Sequence, residues 1–434
     1  MKAQKRQELF KAFLEKNKVL IVDKSSASRR RLAKTLIDMG CKRNQIFSVA
    51  HYAEALEIVK SEKPKLVLSD FSVQGGSGFD LFKEYRSIEK ELNDTTLILI
   101  TSNISQSAVA KAAEEDVDSF IIKPYTVQSL ERSLVTAVIN KLYPSKYMKK
   151  IDEGKKLLLD GSYEQALDVF DEAMKLTEQP SLALFYHGQA KYFLDQVDEA
   201  KADYEKGLEV NKIHFKCQVG LFELFMKEKK FFEAYEVVKN IAKYFPANPD
   251  RLKEVVRLAV VTENYDDLET FYVNFTELEE RPQDVVNYMC SGLYVLGRFR
   301  FFHGKKTQAK EVFEKISIAC MGNIKFLRAM IVKYVEEKMY SEAQEVLKRF
   351  PTDTGDQTGY MVSSYLANSS DMSNDELVSY GLELFNNGHL DPLAAEITIK
   401  ALYRSGSNKA EQYLEEAVHK WPDIFKNKDF TEVA

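Results

Sequence analysis

Four polar residues stand where short apolar runs end. Asp23 follows Val19–Val22, Asp70 follows Leu66–Leu68 and Ser69, Thr101 follows Leu97–Ile100, and Lys123 follows Phe120–Ile122. Together they offer two carboxylates, a hydroxyl and an ammonium. A carboxylate that accepts a phosphoryl group needs this company: acids to hold a divalent metal against the phosphoryl oxygens, a hydroxyl to donate to one of them, and a fixed cation for another. Singly, each residue has a plainer reading. Aspartate at a strand end caps helices and forms turns, and Lys-Pro is a common turn. The chemistry depends on whether the chain brings all four to one place.

The elements between them supply the means. Residues 17–141 alternate five apolar runs, Ile46–Val49 being the fifth, with amphipathic stretches at roughly 26–39, 52–61, 78–90, 105–115 and 126–141. Short runs rich in Val and Ile are the pattern of strands buried on both faces, and five β-α units predict a doubly wound, five-stranded parallel sheet. Ligands bind such sheets beyond the carboxyl ends of the strands, which is where the four residues lie. Ahead of them, residues 1–16 carry Leu9, Phe10, Phe13 and Leu14 at helical spacing and predict a short amphipathic helix capping the next domain.

After Lys141 the strand pattern stops. Residues 142–150, around Tyr143-Pro-Ser-Lys-Tyr147, read as a linker, and all that follows reads as helix. Ala166, Ala200, Ala234 and Leu268 recur at a step of 34, each with a bulky residue four later. A longer step reaches Ala309, and the register resumes at Ala343, Leu377 and Ala410. Gly154, Gly188 and Gly297 sit twelve residues before their anchors; Pro246 and Pro422 lie twelve after theirs. This pattern resembles the tetratricopeptide repeat, a helix–turn–helix unit. The resemblance implies an all-α solenoid, with clearer repeats over 151–280, degenerate ones over 281–425 and a tail at 426–434. It also implies a ligand face lined by the first helices, with Gln189, Tyr192 and Phe193 in one unit and Arg298, Phe301 and Phe302 in another.

The rim residues resemble the receiver domain of bacterial two-component response regulators, over about 18–141. The resemblance implies that Asp70 is the phosphoacceptor, phosphorylated by a sensor histidine kinase or a phosphotransfer protein. It implies Mg²⁺ held by Asp23, Asp70 and the backbone carbonyl of Ser72. Thr101 and Lys123 would meet the phosphoryl group, a cis peptide would precede Pro124, and Phe120 would be the aromatic switch. A homodimer through the face carrying Tyr125, Leu130, Leu134 and Val138 is a further expectation. Two positions depart from the family. Lys24 stands where a second acid is usual, which weakens Mg²⁺ binding or replaces it with a fixed ammonium, unless the side chain turns to solvent. Gln74 stands in place of a common proline and is expected to loosen the loop that Gly75, Gly76 and Gly78 already make pliant.

Composition narrows the rest. The chain has 434 residues, 45% apolar and 29% charged, with a net charge of −5, which gives no chain-wide nucleic-acid footprint. Four cysteines and six histidines are scattered, without disulfide or zinc spacing. No run is long enough to span a membrane, and a cytoplasmic location is expected. No DNA-reading motif, nucleotide loop or acid–base–nucleophile set marks the second half, so no enzyme is expected. Two alternatives stay open: a constitutive adaptor with a weak or silent phosphorylation site, and an RNA binder working through Arg298-Phe-Arg-Phe-Phe-His-Gly-Lys-Lys306.

Overall fold

A computed structural model describes residues 3–434 except 89–94, 102–116, 245–248, 279–280, 352–356, 390, 427, 429 and 431–434. The chain divides into two compact units, Met1–Leu258 and Ala259–Ala434.

The first unit opens with α1 (Ala3–Lys16). Five parallel strands follow: β1 (Val19–Val22), β2 (Ile46–Val49), β3 (Leu66–Ser69), β6 (Thr96–Thr101) and β7 (Ser119–Ile122). A two-strand hairpin of β4 (Ser72–Val73) and β5 (Gly76–Ser77) stands apart. The sheet order is β2-β1-β3-β6-β7, the doubly wound arrangement expected. Alternation along the buried strands divides the core. Val19, Ile21, Leu66, Leu68, Ile98 and Ile100 face one layer, with α2 (Ser26–Asp38) and α5 (Val127–Leu142). Leu20, Val22, Val67, Leu97 and Leu99 face the other, with α3 (Tyr52–Glu62) and α4 (Gly78–Ile88). Both faces are covered, which is why the runs are almost wholly apolar. The helix expected at 105–115 lies outside the described residues.

Helix α1 belongs to this domain rather than preceding it. Phe10, Phe13 and Leu14 are buried in the same cluster as Leu36, Val138 and Ile139. Arg6 Nη2 donates to Asn140 Oδ1 at 2.6 Å, and Gln45 Nε2 donates to the Glu15 carbonyl at 3.2 Å. The boundary expected at 16/17 therefore cuts through one core. The linker is also shorter than 142–150. Ser145 caps α6 (Lys146–Leu159), its side chain accepting the Met148 N–H, so only Tyr143–Ser145 separate the two helices.

The repeats then run as antiparallel pairs: α6 with α7 (Tyr163–Met174), α8 (Ser181–Phe193) with α9 (Val197–Val210), and α10 (Phe215–Lys227) with α11 (Phe231–Tyr244). The recurring glycine has a steric cause. A Cβ on Gly154 would strike the Phe170 ring, one on Gly297 the Phe313 ring, and one on Gly188 would lie 2.7 Å from Tyr204 Cε1. The glycine of each first helix admits the aromatic of the second.

Helix α12 (Pro249–Val261) runs across the division, and the second unit continues with α13 (Asp267–Thr276), α14 (Gln283–Phe302), α15 (Lys306–Ala319), α16 (Ile324–Glu336), α17 (Tyr340–Leu347), α18 (Gln357–Asn368), α19 (Asn374–Asn386), α20 (Pro392–Arg404), α21 (Ala410–Lys420) and α22 (Pro422–Phe425). Helix α14 has 20 residues where α6 has 14 and α8 has 13. The long step before Ala309 is thus about two additional turns, which keep the inward face in phase. In the unit of α18 and α19 the sizes are exchanged: Tyr365 holds the place of the glycine and Gly381 the place of the aromatic, both buried. The tail expected from 426 is partly packed. Phe430 is buried and stacked on Tyr403 at 6.2 Å, and Lys428 pairs with Glu396. All four cysteines are buried and free. Among the described residues no helix is long and apolar enough to cross a membrane.

Candidate functional site

The sheet register carries Asp23 and Asp70 to one rim. The Asp23 N–H donates to the Val49 carbonyl and the Asp70 N–H to the Val22 carbonyl, at 3.2 and 2.8 Å, so strand pairing extends one residue beyond each run. Both are buried, at 2% and 8% exposure. Lys123, which a cis peptide bond joins to Pro124, donates to Asp23 Oδ2 at 2.6 Å and to Asp70 Oδ2 at 2.8 Å. Burial works against the Lys123 ammonium. The hydrogen bonds and charges of Asp23 and Asp70 outweigh it, and its pKa is raised. Thr101 closes β6 beside Ile122, one residue before Lys123; its side chain lies outside the described residues. Phe120 is half-buried against the core layer of Leu97 and Leu99.

Sequence reasoning missed the residues that hold Asp23. The Ser25 N–H donates to its Oδ1 at 2.8 Å, Ser28 Oγ donates to its Oδ2 at 2.6 Å, and Arg29 Nη1 donates to its carbonyl at 2.5 Å. The signal was present in Asp23-x-Ser25, an Asx turn opening into a serine-capped helix. Lys24 is exposed, and among the described residues it forms no ion pair. Lys123 is the cation that bridges the two carboxylates.

The loop after Asp70 is less pliant than expected. The Gln74 N–H donates to the Ala50 carbonyl at 3.2 Å and its carbonyl accepts the Tyr52 N–H at 2.8 Å, tying the hairpin to the end of β2. A proline there could make only the second bond, so Gln74 tightens the loop. Gly75 turns the hairpin at φ +84°, while Gly78 is needed for closeness: a Cβ there would strike the Asp70 carbonyl and lie 2.8 Å from Ser69 Oγ.

Among the described residues, Lys123 is the cation bonded to both carboxylates, while Arg29 binds the Asp23 carbonyl rather than either carboxylate. Carboxylate and carbonyl oxygens suit a hard divalent cation, and the residues present fit Mg²⁺. Asp23, Asp70 and the Ser72 carbonyl would hold it.

On the repeats, Gln189 and Tyr192 are half-buried, and Lys227 Nζ lies 4.5 Å from the Tyr192 ring. Phe193 is 49% exposed and stacked on Tyr163. Arg298 and Phe302 face solvent, Phe302 at 87% exposure. Phe301 does not. It is buried edge-on between Phe313 and Tyr334, in the core between repeats, because one residue of helix turns it 100° from Phe302. Arg300 is also buried and paired with Glu269, and Lys306 pairs with Glu337. The run 298–306 thus gives no continuous basic–aromatic track for RNA. The residues expected to form a dimer face fail as well: Leu130, Leu134 and Val138 lie in the domain core, and Tyr125 is half-buried beneath Arg31.

A doubly wound domain with two acids and a lysine at its rim, followed by helical repeats, defines a signalling class of protein. The sequence profile of the response regulator receiver domain matches residues 19–135. The chemotaxis protein CheY homolog of Campylobacter jejuni is 31% identical over 118 residues, 27% of this chain and 88% of the relative. Chemotaxis protein CheY-3 of Vibrio cholerae is 32% identical over 124 residues, 28% of this chain and 93% of the relative. The chain belongs to the response regulator receiver family. Among solved structures similar to it, a tetratricopeptide repeat protein from Parabacteroides merdae is 12% identical, covering 58% of this chain and 97% of that one, with a TM-score of 0.29.

Proposed function

We propose that the protein is a phosphorylated response regulator whose output is protein binding through its repeats. The observation that carries this reading is the Lys123 bridge between Asp23 and Asp70. In the proposed reaction an oxygen of Asp70 attacks the phosphorus of a phosphohistidine on a sensor kinase or phosphotransfer protein. The new O–P bond forms as the P–N bond breaks, and the imidazole leaves with its electron pair and takes a proton. Bound Mg²⁺ would supply charge neutralisation at the phosphoryl oxygens. Asp23, fixed by Ser25 and Ser28, would orient the site. Lys123, already on Asp70 Oδ2, would move to the added phosphoryl group, which carries at most two negative charges where the carboxylate carried one. Thr101 would donate its hydroxyl, and Phe120 would follow it inward. The exposed Lys24 supports a working site rather than one filled by a substitute ammonium.

Incubation with acetyl phosphate, followed by intact mass measurement, tests this. A gain of one phosphoryl group that needs Mg²⁺ and disappears in Asp70→Asn is expected. An unchanged mass with Mg²⁺ present would favour the constitutive adaptor instead. Receiver and repeat modules are typically signalling and adaptor modules, and we assign the chain no catalytic output beyond this self-modification. Gln189, Tyr192, Phe193, Arg298 and Phe302 are proposed partner contacts.

A further inference from the structure

Helices α1 and α5 leave a cleft of about 360 Å³ between them. Gln128, Glu131, Arg132, Val135 and Thr136 line it from α5, three and four residues apart on one helix face. Arg6 and Gln7 line it from α1. None of these belongs to the rim around Asp70. Elsewhere the same two helices share the buried cluster of Phe10, Leu14, Val138 and Ile139. Here the residues are polar, apart from the buried Val135. Small-molecule sites span about 300–1,000 Å³, so this one suits a compact ligand.

The lining sets the Arg6 and Arg132 guanidinium groups against one carboxylate, that of Glu131. The other charged residues of the two helices, Lys5, Glu8, Lys11, Glu15, Lys16 and Lys141, are not in the lining, and Lys141 is paired with Asp118. Arg6 Nη2 is held by Asn140, while its Nε is buried with no hydrogen-bond partner. Arg132 is exposed and, among the described residues, has no ion pair. The side chains of Gln7, Gln128, Glu131 and Thr136 likewise make no hydrogen bond among the described residues. The cleft therefore carries two cations and a set of donors and acceptors that the fold does not use.

These groups select a ligand. Guanidinium groups match phosphate geometry, and the double charge of a phosphate monoester matches two of them. Ionised Glu131 only accepts hydrogen bonds, so beside a phosphate it suits hydroxyl donors, and the amides of Gln7 and Gln128 serve hydroxyls in either sense. No aromatic ring stands among the described lining residues to stack a nucleobase.

We infer that the cleft binds a sugar phosphate, its phosphoryl group between Arg6 and Arg132 and its hydroxyls on Glu131 and the amides. A molecule held by both helices ties α1 to the receiver, an input separate from the phosphoryl group on Asp70.

The test is isothermal titration calorimetry of the full chain without Mg²⁺, with ribose 5-phosphate, inorganic phosphate and adenosine monophosphate as probes. Ribose 5-phosphate is expected to bind once per chain, more tightly than inorganic phosphate and no less tightly than adenosine monophosphate. Arg132→Gln, at an exposed position, should weaken it by roughly tenfold, the loss of one charged hydrogen-bonded pair. Asp70→Asn should leave it unchanged. Bound ribose 5-phosphate should also raise the hydrogen-exchange protection of α1 amides, and Arg132→Gln should abolish that gain. No heat from ribose 5-phosphate at millimolar concentration, or binding indifferent to Arg132→Gln, would overturn the inference. Loss of binding in Asp70→Asn would overturn it by moving the site to the rim. Inorganic phosphate binding as tightly as ribose 5-phosphate would overturn the sugar, and tighter adenosine monophosphate would replace it with a nucleotide.

Discussion

Replacing Gly188 by alanine pits two known effects against each other at a site where the structure decides the sign. Glycine inside a helix is about 1 kcal/mol worse than alanine, so Gly188→Ala in an open helix would stabilise. Here the new Cβ would lie 2.7 Å from Tyr204 Cε1 and 3.0 Å from the Ala200 carbonyl oxygen. The ring cannot retreat. A Cβ on Gly220, in the next first helix, would lie 2.8 Å from Tyr204 Cε2, so glycines grip both edges of one buried ring. Overpacking of this kind costs about 1–3 kcal/mol, and with a backbone oxygen and a trapped ring as obstacles the upper half applies. Net destabilisation of about 1–2 kcal/mol is expected. Hydrogen exchange on the full chain reads it locally: protection of amides in 181–227 should fall by roughly tenfold, the equivalent of about 1.4 kcal/mol. In a Tyr204→Leu background the same change should be neutral or stabilising, a coupling of about 1 kcal/mol or more. Unchanged or greater protection in Gly188→Ala would refute the account of why these repeats carry glycine.

Three further outcomes are expected. Phe10→Ala should destabilise the receiver by about 3–5 kcal/mol, seen as lost exchange protection in β1 and α5, because Phe10 is 1% exposed in their shared core. Gly78→Ala should cost about 1–3 kcal/mol and lower the phosphoryl yield on Asp70, since a Cβ there strikes the Asp70 carbonyl; a yield equal to wild type would remove Gly78 from the site's design. In the repeats, burial works against the charge of Asp203, but hydrogen bonds from His187 and Lys191 outweigh it and its pKa is lowered. Its contribution is therefore present above the usual aspartate range and lost as pH falls below about 4 towards its lowered folded value. Asp203→Asn should destabilise 181–210 by about 3 kcal/mol at neutral pH, and exchange protection there should then vary less on acidification.

The strands and the rim were legible because burial on both faces forces apolar runs, and because a parallel sheet puts every strand end on one side. Asp23, Asp70 and Lys123 followed from that geometry alone. What the pattern could not carry were choices made by helical phase and by long-range contact. Phe301 and Phe302 are adjacent aromatics, and only the packing of Tyr334 fixes which one turns inward. Helix α1 looked detachable because its partners, Val138 and Ile139, are more than a hundred residues away. The α18–α19 unit looked degenerate because the small and large positions are exchanged, which keeps the volume while losing the motif. Gln74 was misread because its backbone N–H, rather than its side chain, does the tying.

The burial of α1 against α5 has a consequence for biosynthesis. Phe10 leaves the ribosome about 130 residues before Ile139, and at roughly 5–20 residues per second that interval is on the order of ten seconds. Through it, the apolar stripe of α1 can meet Leu32, Leu36 and Cys41 but lacks Val138 and Ile139, and the sheet lacks the helix that closes it. The nascent chain thus carries two complementary sticky surfaces that only meet once the last receiver helix has emerged.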